Sequence, residues 1–183
     1  MGLIIVLALR LTLPLAILRW PFWGSILALA VDTADIIVFQ LTDFPRWEYQ
    51  RFDKTLDLYY IALQAVVAQY WESAPRWTAN ALLVYRLIGT ALYEMTGTRS
   101  LLFIFPNFFT FFVIVVAGMK TFGDPTVTPR RTIGALASVV VPTLALEYAL
   151  HYAKWFDNLV AVDIIEDVAH DVLRWLPEIV LWR

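Results

Sequence analysis

The chain reads as an all-α integral membrane protein: about six transmembrane helices in residues 1–155, followed by an amphipathic C-terminal helix and tail in 156–183. Three observations predict this. Hydrophobic residues make up 60% of the 183 and mean hydropathy is +0.66, more than a soluble domain of this size carries. The apolar residues fall into segments near the roughly 20 that a helix needs to cross a hydrocarbon core. Trp20, Trp23, Trp71, Trp77 and Trp155 lie near the ends of those segments, where interfacial anchors belong.

The first predicted span, 3–18, is short and interrupted by Arg10, and Arg19, Trp20 and Pro21 turn the chain into the second, 22–41. The second carries Asp32 and Asp35 in its last half. A hydrophilic connection, 42–52, contains Asp43, Arg46, Glu48, Gln50 and Arg51. Asp53 opens the third span, with Asp57 one turn on and Trp71 near its far end. The fourth covers 77–95, the Phe-rich fifth 101–119 and the sixth 133–153, with a Pro-containing loop at 123–131 between the last two. The apolar start has neither a basic leader nor a small-residue cleavage site, so it is expected to be a retained span and not a signal peptide. Lys and Arg divide evenly between alternate loops, and the tail residues Arg174 and Arg183 tip the orientation. Both termini and the aspartates are therefore expected on the cytoplasmic side of an inner, cytoplasmic membrane.

Beyond the sixth span, Asp163, Glu166, Asp167, His170, Asp171 and Arg174 share one helical face, opposite Val160, Ile164, Ile165, Val168, Val172 and Trp175. The polar face is acidic, whereas anionic lipid attracts basic helices. Docking on the protein's own surface or on a partner is the expectation. A net charge of -2 with scattered basic residues excludes nucleic acid as a partner. The absence of cysteine excludes disulfides and cysteine-ligated metal sites.

Four carboxylates carry the chemistry. Asp32 and Asp35 are three apart, Asp53 and Asp57 four apart, so each pair shares a helix face. Two antiparallel helices joined by a short polar connection would bring the pairs together. Carboxylates at membrane depth are costly unless neutralised, paired or metal-bound, and four together repel without a cation. Hard oxygen donors suit Mg²⁺, Mn²⁺ or Ca²⁺ and a phosphate-bearing substrate. The expected reaction class is phosphoryl transfer, in which one carboxylate deprotonates the attacking hydroxyl.

The aspartate register resembles the motif of the CDP-alcohol phosphatidyltransferases, D-x2-D-G-x2-A-R-x8-G-x3-D-x3-D, with Asp32, Asp35, Asp53 and Asp57 at its four acidic positions. Arg10 and Pro14 in "ALRLTLPL" look like the Arg and Pro of that family's first helix. The resemblance implies Asp32, Asp35 and Asp53 as ligands of Mg²⁺ or Mn²⁺ and Asp57 as the general base at the metal. It also implies a nucleotide-linked lipid or alcohol donor, an alcohol acceptor and a homodimer. Ile36, Phe39, Gln40 and Tyr49 stand where the family has Gly, Ala, Arg and Gly. Ile36 and Tyr49 fill space expected for the nucleotide, and Gln40 lacks the charged fork that Arg offers phosphate. The leading function is a metal-dependent transferase of lipid synthesis. The alternative is a catalytically inactive relative serving as a subunit or scaffold of a membrane complex.

Two further pairs have two readings each. Arg86 and Glu94 lie nearly on one face of the fourth span, and Glu147 and His151 are four apart in the sixth. They either complete a polar cavity, with Arg86 on phosphate or His151 on a metal, or form interhelical ion pairs and hydrogen bonds. In "LLFIFPNFFTFFVI" the aromatic residues are expected to be lipid-facing and packing surface, and Pro106 and Asn107 mark a kink or the start of a helix.

Overall fold

The computed structural model describes residues 2–40, 46–98 and 100–148; within those ranges the side chains of 2–6, 34–40, 46–55, 100, 102 and 147 lie outside the description. The described chain is helical: α1 (Gly2–Thr12), a 3-10 turn (Leu13–Leu15), α2 (Ala16–Arg19), α3 (Pro21–Gln40), α4 (Arg46–Ala68), α5 (Ser73–Thr96), α6 (Ser100–Ile104), α7 (Phe108–Phe122) and α8 (Pro129–Glu147). The helical class is as expected, but the spans are not. Among the described residues no helix is long and apolar enough to cross a membrane, which overturns the expectation of about six transmembrane helices.

The physical reason differs from helix to helix. Pro14 ends α1 in a 3-10 turn after 11 residues, about 16 Å of rise at 1.5 Å per residue. α3 has the length but carries Asp32 and Asp35. α4 begins inside the stretch expected to be a connection, and its first half holds Arg46, Glu48, Arg51, Asp53, Lys54 and Asp57. Pro106 divides the expected fifth span, so that α7 has 15 residues, roughly 22 Å against a hydrocarbon core of about 30 Å. α8 starts with Arg130 and Arg131 and contains Pro142. The composition averages over charges in α3 and α4 and over proline breaks at Pro14 and Pro106. His151, Trp155 and the amphipathic segment 156–183 lie outside the described residues.

Packing is organised around α7, whose Phe109, Phe112, Val113 and Val116 are buried and which lies against α3, α5 and α8. Asn107 starts this helix by accepting a hydrogen bond from the Thr110 amide at 3.3 Å, a side-chain N-cap. Thr128 does the same for α8, with Pro129 at its first position. α3 packs on α1, the 3-10 turn, α2 and α4 as well as on α7. Its approach to α2 depends on Gly24, where an added Cβ would lie 2.3 Å from the Ile17 amide nitrogen. The turn from α4 to α5 is held by Gln69 Nε2 donating to Asn80 Oδ1 at 2.8 Å and by Lys120 of α7 bonding Glu72 at 2.7 Å.

The outside of the bundle is unusually apolar. Trp20, Trp23, Trp77, Met95, Ile133 and Val141 are each more than half exposed.

Candidate functional site

The site begins where three helices meet. Helical geometry continues through the 3-10 turn into α2 and breaks at Trp20, after which α3 runs back along α2 and α1, so that Arg10 faces the second half of α3. Arg10 is only 4% exposed, and its Nη2 donates to Asp32 Oδ1 on α3 and, at 2.8 Å, to Asp57 Oδ1 on α4. One guanidinium thus bridges two carboxylates from different helices, and charge-assisted bonds of this kind are the strong ones. Tyr59, two positions beyond Asp57, donates its hydroxyl to the Leu11 carbonyl at 3.0 Å. That bond fixes α4 against α1 beside the ion pairs.

Asp32 and Asp57 are 24% and 29% exposed, so the junction is reachable from outside while its cation is buried. Asp35 and Asp53 belong to α3 and α4, one turn from Asp32 and Asp57 respectively, but their side chains lie outside the described residues. Among the described residues no three metal-ligating side chains come together. The pair that does converge consists of hard carboxylate oxygens, a donor chemistry that fits Mg²⁺ or Mn²⁺ and no soft metal.

Inward from the junction, the polar character continues along two helix faces. On α3, Ser25 lies seven residues before Asp32; on α4, Gln64 lies seven after Asp57. Seven residues are two helical turns, so each polar residue shares a face with its aspartate, about 10 Å along the axis. Both are 0% exposed, and Ser25 Oγ, Gln64 Nε2 and Gln64 Oε1 have no hydrogen-bond partner among the described residues. Tyr60 is buried on the same face of α4. Burial, then the nearby Asp57 and Asp32 carboxylates, push its phenol far above the ordinary value, so it stays a neutral donor.

Arg86, one of the residues with two readings, donates Nη1 to the Phe105 carbonyl at 3.1 Å and so anchors the turn between α6 and α7. Glu94 lies on the exposed part of α5. His151 and the Glu147 side chain lie outside the described residues.

The convergence of Asp32 with Asp57 follows the spacing argument, and Arg10 enters as their common partner. Sequence reasoning missed Ser25, Tyr60 and Gln64. The signal was there: a seven-residue spacing inward from each aspartate places a polar side chain on an otherwise apolar face. No protein-family model, curated protein or solved structure matches the chain.

Proposed function

We propose that the chain is a divalent-metal-dependent transferase that moves a phosphoalcohol or phosphatidyl group from a CDP-linked, or other nucleotide-linked, donor to an alcohol, as the CDP-alcohol phosphatidyltransferases that its aspartate register resembles do. The observation that carries this reading is the convergence of Asp32 and Asp57, from separate helices, on the buried Arg10. Phosphoryl transfer needs several fixed charges at one point, because its catalysis is mainly positioning and charge stabilisation.

Asp32, with Asp35 and Asp53, would hold Mg²⁺ or Mn²⁺, which when bound neutralises diphosphate charge. The chain's own residues supply the rest. Asp57 accepts the proton of the acceptor hydroxyl. The acceptor oxygen forms a bond to the phosphorus that bears the transferred group, the bridging P–O bond breaks, and its electron pair leaves with the nucleoside monophosphate. Arg10 fixes the positions of Asp32 and Asp57 and limits the repulsion between them. The exposed apolar side chains around the bundle offer a surface for the hydrocarbon of a lipid-linked donor.

A second reading has its own observation. Arg10 already satisfies both carboxylates, and Ile36, Phe39, Gln40 and Tyr49 replace the motif residues expected around the nucleotide. A structural ion-pair cluster in a non-catalytic subunit of a complex accounts for both.

One titration separates the readings. Purified full-length protein is titrated with Mn²⁺, with and without CDP-diacylglycerol, alongside Asp32→Asn and Asp57→Asn. Mn²⁺ binding that needs Asp32 and tightens with the CDP-lipid supports the transferase. Binding of neither leaves the subunit reading.

A further inference from the structure

The inward face of α4 carries a polar stripe that runs from an acceptor to groups able to donate hydrogen bonds. Asp57, Tyr60 and Gln64 follow one another at spacings of three and four, so they form a continuous stripe. Opposite, on α7, Thr110 is fully buried and adjoins the Tyr60 phenol, and its Oγ1 has no partner in hydrogen-bonding geometry among the described residues. Arg86 reaches the same region from α5: it interacts electrostatically with the Tyr60 phenol, and while Nη1 is committed to the Phe105 carbonyl, its buried Nε has no partner among the described residues. Close packing holds the arginine there. Gly89, one turn on, lies so near Phe105 that an added Cβ would be 2.1 Å from the Phe105 Cβ.

Unpaired buried polar atoms are uncommon in folded proteins, and a group of them calls for a reason. A Leu at 64 and a Val at 110 would fill similar volumes with no desolvation cost, so packing does not account for the polar residues. The inventory of free groups is informative. Gln64 Nε2 offers two N–H donors, Arg86 Nε one charged donor and Thr110 one hydroxyl, against the acceptor Gln64 Oε1. Donors in excess around one fixed positive charge suit an oxyanion with several acceptor oxygens. A charged fork is also what the chain lacks at Gln40.

We propose that Arg86, Thr110, Tyr60 and Gln64 form an oxyanion seat, inward of Asp57, that holds a phosphoryl group. The proposal rests on the phosphoryl-transfer reading for its substrate class but not for its test. The phosphoryl group is that of a lipid or of a free phosphate, and Gln64 Oε1 accepts from a hydroxyl beside it.

Two probes distinguish these sources: inorganic phosphate titrated into the purified protein, and phosphatidic acid presented in mixed micelles. Affinity for at least one is expected to fall tenfold or more in Arg86→Gln and in Gln64→Leu, with partial recovery in Arg86→Lys. Phosphate affinity lost only in free solution assigns a soluble ligand; loss only in micelles assigns a lipid. Gln64→Leu keeps the test sound if Arg86→Gln fails to fold. Without ligand its Tm should equal or exceed the parent's, while the rise in Tm that the ligand produces should disappear. Neither probe binding the parent chain, or both binding it and Gln64→Leu equally, overturns the seat. Failure of the transferase reading appears separately, as loss of Mn²⁺ and CDP-lipid binding with phosphate binding intact.

Discussion

Asp32 and Asp57 accept hydrogen bonds from the same nitrogen, Nη2 of Arg10. Among the described residues, one cation is thus shared between two anions at this junction. Removing one partner of a buried ion pair costs roughly 3–5 kcal/mol. With both carboxylates about a quarter exposed, Arg10→Gln is expected to cost a discounted ~2–3 kcal/mol in denaturant unfolding. Added Mn²⁺ should then raise the Tm of the variant more than that of the parent chain, because the metal replaces the missing charge. Equal shifts in both proteins would show that these carboxylates take no cation.

Asp57→Asn removes the proposed proton acceptor while keeping shape and size. Loss of a general base typically costs about 10²–10⁴-fold in rate. Turnover of a CDP-linked donor should therefore fall by about 10²-fold or more, with donor affinity nearly unchanged. A fall in affinity with turnover intact would give Asp57 a binding role.

The Glu72 carboxyl, bonded to Lys120, is held below its ordinary value of 4.5. A lowered folded-state value means that the pair's contribution is complete above about pH 4.5 and fades as pH falls through the folded value. Lys120 and Glu72 are 23% and 34% exposed, so Glu72→Gln should cost only about 0.5–1 kcal/mol at neutral pH. Unfolding curves of parent and variant should converge in strong acid; a gap that widens there would reverse the sign argued here.

Two glycines give opposite expectations. At Gly24 an added methyl meets the backbone of Ala16 and Ile17 at 2.5 and 2.3 Å, so Gly24→Ala must separate α2 from α3 at a cost of roughly 1–3 kcal/mol or more. At Gly134, inside α8, nothing lies within 4 Å, and Gly134→Ala should stabilise by about 0.5–1 kcal/mol. Thermal melts of the pair test whether the α2–α3 contact is as tight as described.

Helix type and several boundaries were legible because caps and breakers act locally. Pro21 opens α3 and Asn107 caps α7, close to the expected turn and helix entry, whereas α8 starts at Pro129, inside the expected loop. The start of α4 was not, because Arg46 to Phe52 reads as polar connection although it continues the helix of Asp53 and Asp57. The spanning expectation failed for a related reason: an average hydropathy carries no information on where charges interrupt a run. Within the site, the spacing of Asp32 and Asp57 disclosed that they would meet. The identity of their shared cation did not follow from spacing, since Arg10 comes from another helix altogether.

That separation along the chain also has a consequence for folding. Arg10 finds its carboxylates 22 and 47 residues away, so α1 gains its polar partners only after α3 and α4 have formed and approached each other. Contacts so distant in sequence close late and slow the search. Until then, two aspartates on converging helices oppose one another. The junction therefore closes only where α1, α3 and α4 lie together in register.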